Sequence, residues 1–98
     1  MGVLSQTAVT PSGGRTVITL RGDLDHHSAS RVWQYLSYLI VQGHRHIVVD
    51  LGEMVLVDPA GMDVIARAAA WTRQDGGELV LRGASSAAAA SFRSNTLA

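Results

Sequence analysis

The side chains of this chain that could do chemistry are four histidines, a close pair of carboxylates and a few hydroxyls, and their spacing limits what they can do. His44-x-His46 puts two imidazoles two residues apart, so on a strand both point to one side and could share a metal ion. Adjacent His26 and His27 diverge, and no Cys or Glu-x-x-His pattern completes the roughly three or four ligands a protein-held metal needs. The expectation is surface or capping histidines, with no metal and no cofactor. Ser28 beside His27 could pair a nucleophile with a base, but nothing in the sequence supplies an orienting third group or an oxyanion hole, so no enzyme activity is expected. Asp23 and Asp25 could hold a cation, yet two carboxylates in a turn are ordinarily solvated or cap the next helix. Gly13-Gly14 and Gly76-Gly77 are isolated turn pairs rather than a phosphate-cradling loop.

The strongest local signal is Val55-Leu56-Val57-Asp58-Pro59-Ala60-Gly61, an apolar run that ends where a helix can begin. Asp58 can accept backbone N–H bonds as an N-cap, and Pro59 fits the first helical turn, where a proline forfeits no hydrogen bond. Around this junction the elements alternate. Thr16–Leu20 reads as a strand that pairs, across the Pro11-Ser12-Gly13-Gly14 turn, with one from about Val3 to Val9. From Ser28 the period changes, and Ala29, Val32, Trp33, Leu36, Leu39 and Ile40 recur at helical spacing, capped by Ser28 or Asp25 and stopped at Gly43. His46–Leu51 is a continuous apolar run, as in a strand covered on both faces. A second helix is expected from about Pro59 to Gln74, then a strand over Glu78–Arg82 and a last, Ala-rich helix over Ser85–Ser94 anchored by Phe92 and Leu97.

Strands alternating with helices predict βαβ units, hence an α/β fold with a mixed, mostly parallel sheet of about four strands and helices packed on it. Ninety-eight residues make a single domain, 1–98, with one core. The second helix carries two apolar stripes, Met62, Ile65, Ala66 and Ala69 on one side and Val64, Ala68 and Trp71 on the other. Such a helix must be buried twice, so its second side meets either a partner or, over Trp71, the last helix or a second copy of the chain.

Charge excludes several partner classes. Eight Arg against eight acidic residues, with no Lys, leave no basic stripe for nucleic acid or a membrane surface. No apolar stretch approaches the roughly 20 residues that span a bilayer, so direct membrane insertion is not expected. The absence of Cys and of a basic-then-apolar leader predicts a cytoplasmic protein.

Leu20–Ala29 and Val55–Gly61 together resemble the STAS family, the domain of bacterial anti-sigma-factor antagonists and sulfate-transporter tails. Gly22-Asp23-Leu24-Asp25 is similar to the family's strand-turn motif, Asp50-Leu51 to its strand ending, and Gly76-Gly77 to the pair before its last core strand, all in family order. The resemblance implies a STAS-like domain that binds an anti-sigma factor, a serine-kinase-like protein, through Asp23, Leu24, Asp25, His26, His27 and Asp58, Pro59, Ala60, Gly61, Asp63, Val64. In phosphorylated members the Asp at the head of the second helix is followed by a Ser or Thr that the kinase modifies. Pro59 stands at that position and Ala60 follows it, so the resemblance implies a domain without the usual switch. Asp63 departs from the small residues common there, and the sequence stops soon after the third helix, where many antagonists continue with a strand and a helix. The alternative the resemblance offers is a STAS subunit of a bacterial lipid-transport ABC system. Either way a monomer or weak homodimer is expected.

Overall fold

The chain was analysed as a computed structural model, which describes residues 4–25, 27–85, 89–90 and 92. Four strands and two long helices follow in the order β1 (Leu4–Ser12), β2 (Arg15–Leu24), α1 (Ala29–Val41), β3 (His46–Val57), α2 (Pro59–Gln74) and β4 (Glu78–Arg82). The sheet order is β1-β2-β3-β4, with β1 antiparallel to β2 and the other neighbours parallel, as the alternation predicts. The opening hairpin turns through Gly13 and Gly14, with Ser12 opposite Arg15. Both glycines have positive φ, the condition that lets a two-residue turn follow the twist of its strands. Val3 lies outside the described residues.

Both helices end in the same way. In α1, Gly43 N–H donates to the Ile40 carbonyl and His44 N–H to that of Leu39; in α2, Gly76 N–H donates to Arg73 and Gly77 N–H to Thr72. These paired bonds satisfy carbonyls that a helix end leaves without partners. The stops at Gly43 and at Gly76-Gly77 thus fall where the glycines place them. Of the last helix, Ala89, Ala90 and Phe92 are helical and Ala89 N–H donates to Ser85; the remainder of that span, with Leu97, lies outside the described residues.

The core sits between the sheet and the two helices. Ile18 and Leu20 of β2, Ile47, Val49 and Leu51 of β3, and Leu79 of β4 meet Val32, Leu36, Leu39 and Ile40 of α1 and Met62, Ile65, Ala68 and Ala69 of α2. These strand positions share one parity, so they belong to one sheet face. Val17 and Val48, of opposite parity, are also out of solvent, in keeping with a run apolar on both faces. The second stripe of α2 is covered in part by α1, with Val64 and Trp71 left half-exposed. Ala68 is fully buried in the core, and Trp71 packs against Trp33 of α1, with ring centroids 5.9 Å apart. Helix α2 is therefore buried against the sheet on one side and α1 on the other.

Candidate docking site at the strand ends

Because β2 and β3 run parallel, their C-terminal ends open on the same side of the sheet, and the two sequence-predicted segments meet there. Asp23 is in register with Leu56 and Leu24 with Val57. A register shift between Gly22 and Asp23, with Gly22 at φ +104°, marks a bulge that re-aims the end of β2. The junction is closed by Asp58 N–H, which donates to the Leu24 carbonyl at 2.9 Å. A second tie is steric: a Cβ on Gly61 would fall on Leu24 Cγ, and 3.0 Å from both Leu24 Cδ1 and its carbonyl oxygen. Only a residue without a side chain lets the first turn of α2 lie this close to β2.

At the head of α2, Asp58 is extended (φ −107°, ψ 167°) and its Oδ1 accepts the Gly61 N–H at 3.1 Å, with Pro59 at the first helical position. The expected N-cap is thereby in place. Pro59 and Ala60 are exposed, whereas Val64 is half-buried against the core. Asp63 is half-exposed and pairs with Arg67 one turn on, at 3.0 Å.

The β2–α1 loop satisfies its own polar groups. Asp25 is buried, and its Oδ1 accepts the N–H groups of His27 (2.9 Å) and Ser28 (3.2 Å). Ser28 occupies the N-cap position of α1 but makes no side-chain cap bond to the helix. Its Oγ instead accepts the Asp25 N–H at 3.1 Å and donates to the Asp23 carbonyl at 2.8 Å. Asp25, then, closes this turn, and Ser28 ties it back to β2. A buried serine whose proton is held by a main-chain carbonyl is not presented to a substrate. His27 is exposed, Asp23 half-buried, and His26 lies outside the described residues.

The other histidines are elsewhere. His44 precedes β3 rather than lying on it, so it does not share a strand face with His46; its Nδ1 is 2.6 Å from Thr16 Oγ1. Among the described residues no three His, Asp or Glu side chains come together to hold a metal ion.

Sequence reasoning missed one polar cluster. On the sheet face away from the helices, Asp50 Oδ2 accepts from Arg82 Nε (3.1 Å) and Nη2 (2.9 Å), and its Oδ1 accepts the Gly52 N–H at 2.8 Å. The Gly52 N–H and the Arg82 guanidinium hold the Asp50 carboxyl below its ordinary value. A lone acid inside an apolar strand was the available signal. Its partner, 32 residues on, became visible only with the β3–β4 register, which sets Asp50 beside Arg82.

Solved structures share this fold. The anti-sigma factor antagonist SpoIIAA in its unphosphorylated form aligns with a TM-score of 0.76 at 21% identity, over 90% of this chain and 82% of that one. RsbS from Moorella thermoacetica, in a variant form, gives 0.73 at 20% identity, over 96% and 80%. The STAS domain of an antisigma-factor antagonist from Rhodobacter sphaeroides gives 0.67 at 18% identity, over 83% and 88%. The model of the family described as "Mlab, STAS domain" matches residues 7–98, and this chain belongs to that family.

Proposed function

We propose that this domain is a protein-docking regulatory module of the anti-sigma-factor-antagonist type, which engages a serine-kinase-like anti-sigma factor in the cytoplasm without being released by phosphorylation at the head of α2. The observation that carries this reading is the joined surface at the strand ends, where the end of β2 and the head of α2 are tied by the Asp58 N–H to Leu24 carbonyl bond and each segment is braced by its own hydrogen bonds, Ser28 to Asp23 and Gly61 to Asp58 among them. Such a surface is preorganised, so binding need not order it first. What it offers a partner is shape, the exposed Pro59 and Ala60, and the charges of Asp23 and Asp63. It offers no exposed hydroxyl at either residue after Asp58. A phosphate there would add about two negative charges at the docking surface.

The test incubates the wild type and Pro59→Ser with the cognate anti-sigma kinase and ATP, maps phosphate by mass spectrometry and measures binding. The expected result is phosphate on Pro59→Ser alone, with loss of its binding, and a wild type that binds with or without ATP. Efficient phosphorylation of the wild type at another hydroxyl, with release of the kinase, refutes the unswitched reading. A second reading, the lipid-transport ABC subunit, is favoured by the family description, which names Mlab rather than an antagonist. Co-purification from the native host with an ATPase subunit, and not with a kinase, selects it.

A further inference from the structure

Large hydrophobic residues lie exposed on α1, Tyr35 at 36%, Tyr38 at 64% and Val41 at 70%, and Val80 on β4. Helical spacing puts Arg31, Gln34, Tyr38 and Val41 in one stripe, directly opposite the buried Val32, Leu36, Leu39 and Ile40. The intervals of three, four and three residues are those of a helix-pairing seam. The apolar part of this stripe is away from the proposed docking surface, since Tyr38 and Val41 are in the last turns of α1, at the far end of the helix from Ser28.

Its charge pattern names the occupant. Arg31 is the only charged residue from Ser28 to His44, and it has no ion-pair partner among the described residues. It sits near the positive end of the helix dipole, where a cation is unfavourable and which the Asp25 carboxylate just ahead of the helix already serves through the Ser28 N–H. The negative end is bare, with no basic residue in the last turn. We infer that α1 pairs with α1 of a second copy, antiparallel about a two-fold axis near Leu36. Arg31 of each copy then lies beside Val41 and Gln42 of the other, at the negative end of that helix, which has no basic residue of its own. Gln34 falls opposite Tyr38, whose hydroxyl it can hydrogen-bond, and Tyr38 and Val41 leave water. A two-fold contact uses the same patch twice, which this arrangement satisfies.

Sedimentation velocity over a dilution series reaching millimolar protein tests the pairing. The wild type should show a weak, concentration-dependent dimer, and Tyr38→Arg should sediment as a monomer throughout. Arg31→Glu separates interface from fold, because an acid near the start of α1 favours the helix yet is wrong beside the negative end of the other copy. It should loosen the dimer about tenfold without lowering the thermal midpoint. A wild type that stays monomeric, or a dimer that neither variant weakens, overturns the inference. So does Tyr38-dependent binding to phosphatidylglycerol vesicles by a protein that remains monomeric.

Discussion

Replacing Gly61 by Ala sets two effects against each other that the structure allows to be ranked. Gly61 lies in the first turn of α2, where Ala is the better helix former by about 1 kcal/mol. Against this, the new Cβ would overlap Leu24 Cγ and press on Leu24 Cδ1 and its carbonyl oxygen at 3.0 Å. Leu24 has no room to yield. Its side chain is fully buried in the core, and its carbonyl is held by the Asp58 N–H at 2.9 Å. Relief therefore requires α2 to lift from β2, which stretches that bond and the Asp58 cap on Gly61. Overpacking of this kind costs about 1–3 kcal/mol, and a weakened cap adds up to about 1 kcal/mol. The net expectation is a destabilisation of about 1–2 kcal/mol.

Urea unfolding followed by tryptophan emission measures this, since Trp33 and Trp71 both lie against the core. Leu24→Ala supplies the control. Alone it should cost about 3 kcal/mol, but it also removes Cγ and Cδ1 from the path of the new methyl. In that background Gly61→Ala keeps only the contact with the residue 24 carbonyl oxygen and should be close to neutral, a coupling of about 1–2 kcal/mol. If Gly61→Ala raises the unfolding midpoint in the wild-type background, the close approach of α2 to β2 is wrong.

Two further outcomes follow from contacts outside the docking surface. Because Asp50 is held below its ordinary carboxylate value of 3.8, its bonds to Arg82 and Gly52 stabilise the fold above that pH and are lost as the pH falls through the lower folded-state value; Asp50→Asn should therefore unfold less steeply with acid below about pH 4 than the wild type, and an unchanged acid limb in urea titrations would refute the assignment. Trp33→Ala and Trp71→Ala should couple in a double-mutant cycle by about 1 kcal/mol, the excess of an aromatic pair over its area, whereas additive losses would deny the contact.

Legibility in the sequence followed the range of the interaction. The strand alternation, both helix stops and the Asp58 cap are set by residues within a few positions of one another, and each is found where the sequence puts it; the hairpin turn is shorter than expected, because Pro11 and Ser12 pair with Thr16 and Arg15 as part of β1 and leave only Gly13-Gly14 to turn. The boundary of β3 was less legible: the strand runs from His46 to Val57, joining two apolar runs that read as separate because Gly52 and Glu53 interrupt them. Ser28 misled because its type and position suit a cap, yet a bulged β2 brings the Asp23 carbonyl to its hydroxyl, and that bond wins. Trp71 was legible in part: it stays half-exposed, as its place opposite the Met62, Ile65, Ala66 and Ala69 stripe suggests, and only the packing of α1 beside α2 shows that Trp33 meets it. The segments proposed to dock a partner were picked out by family resemblance, whereas their juxtaposition rests on the parallel β2–β3 register and on Gly61, whose role as a spacer is invisible until Leu24 is seen beneath it.

The substitution Pro59→Ser tests the switch only if it leaves the head of α2 in place, and the local hydrogen bonding indicates that it does. Position 59 begins the helix, and the N–H that serine restores needs no partner inside it. The cap bond runs from Gly61 N–H to Asp58, and the tie to β2 from Asp58 N–H to Leu24, so neither involves residue 59. The side chain of Pro59 is exposed, so its loss opens no cavity. What remains is the freedom serine gains in the unfolded chain, about 0.4–1 kcal/mol, against a stability of about 5–15 kcal/mol typical of such domains. A folded Pro59→Ser is thus expected, its thermal midpoint lower by a few degrees. Should the variant stay folded and bind the kinase without accepting phosphate, the cause is not a disrupted helix start, and the assignment of Pro59 to the acceptor position fails. Should it accept phosphate and release the kinase, one residue accounts for the difference between a switched and an unswitched domain.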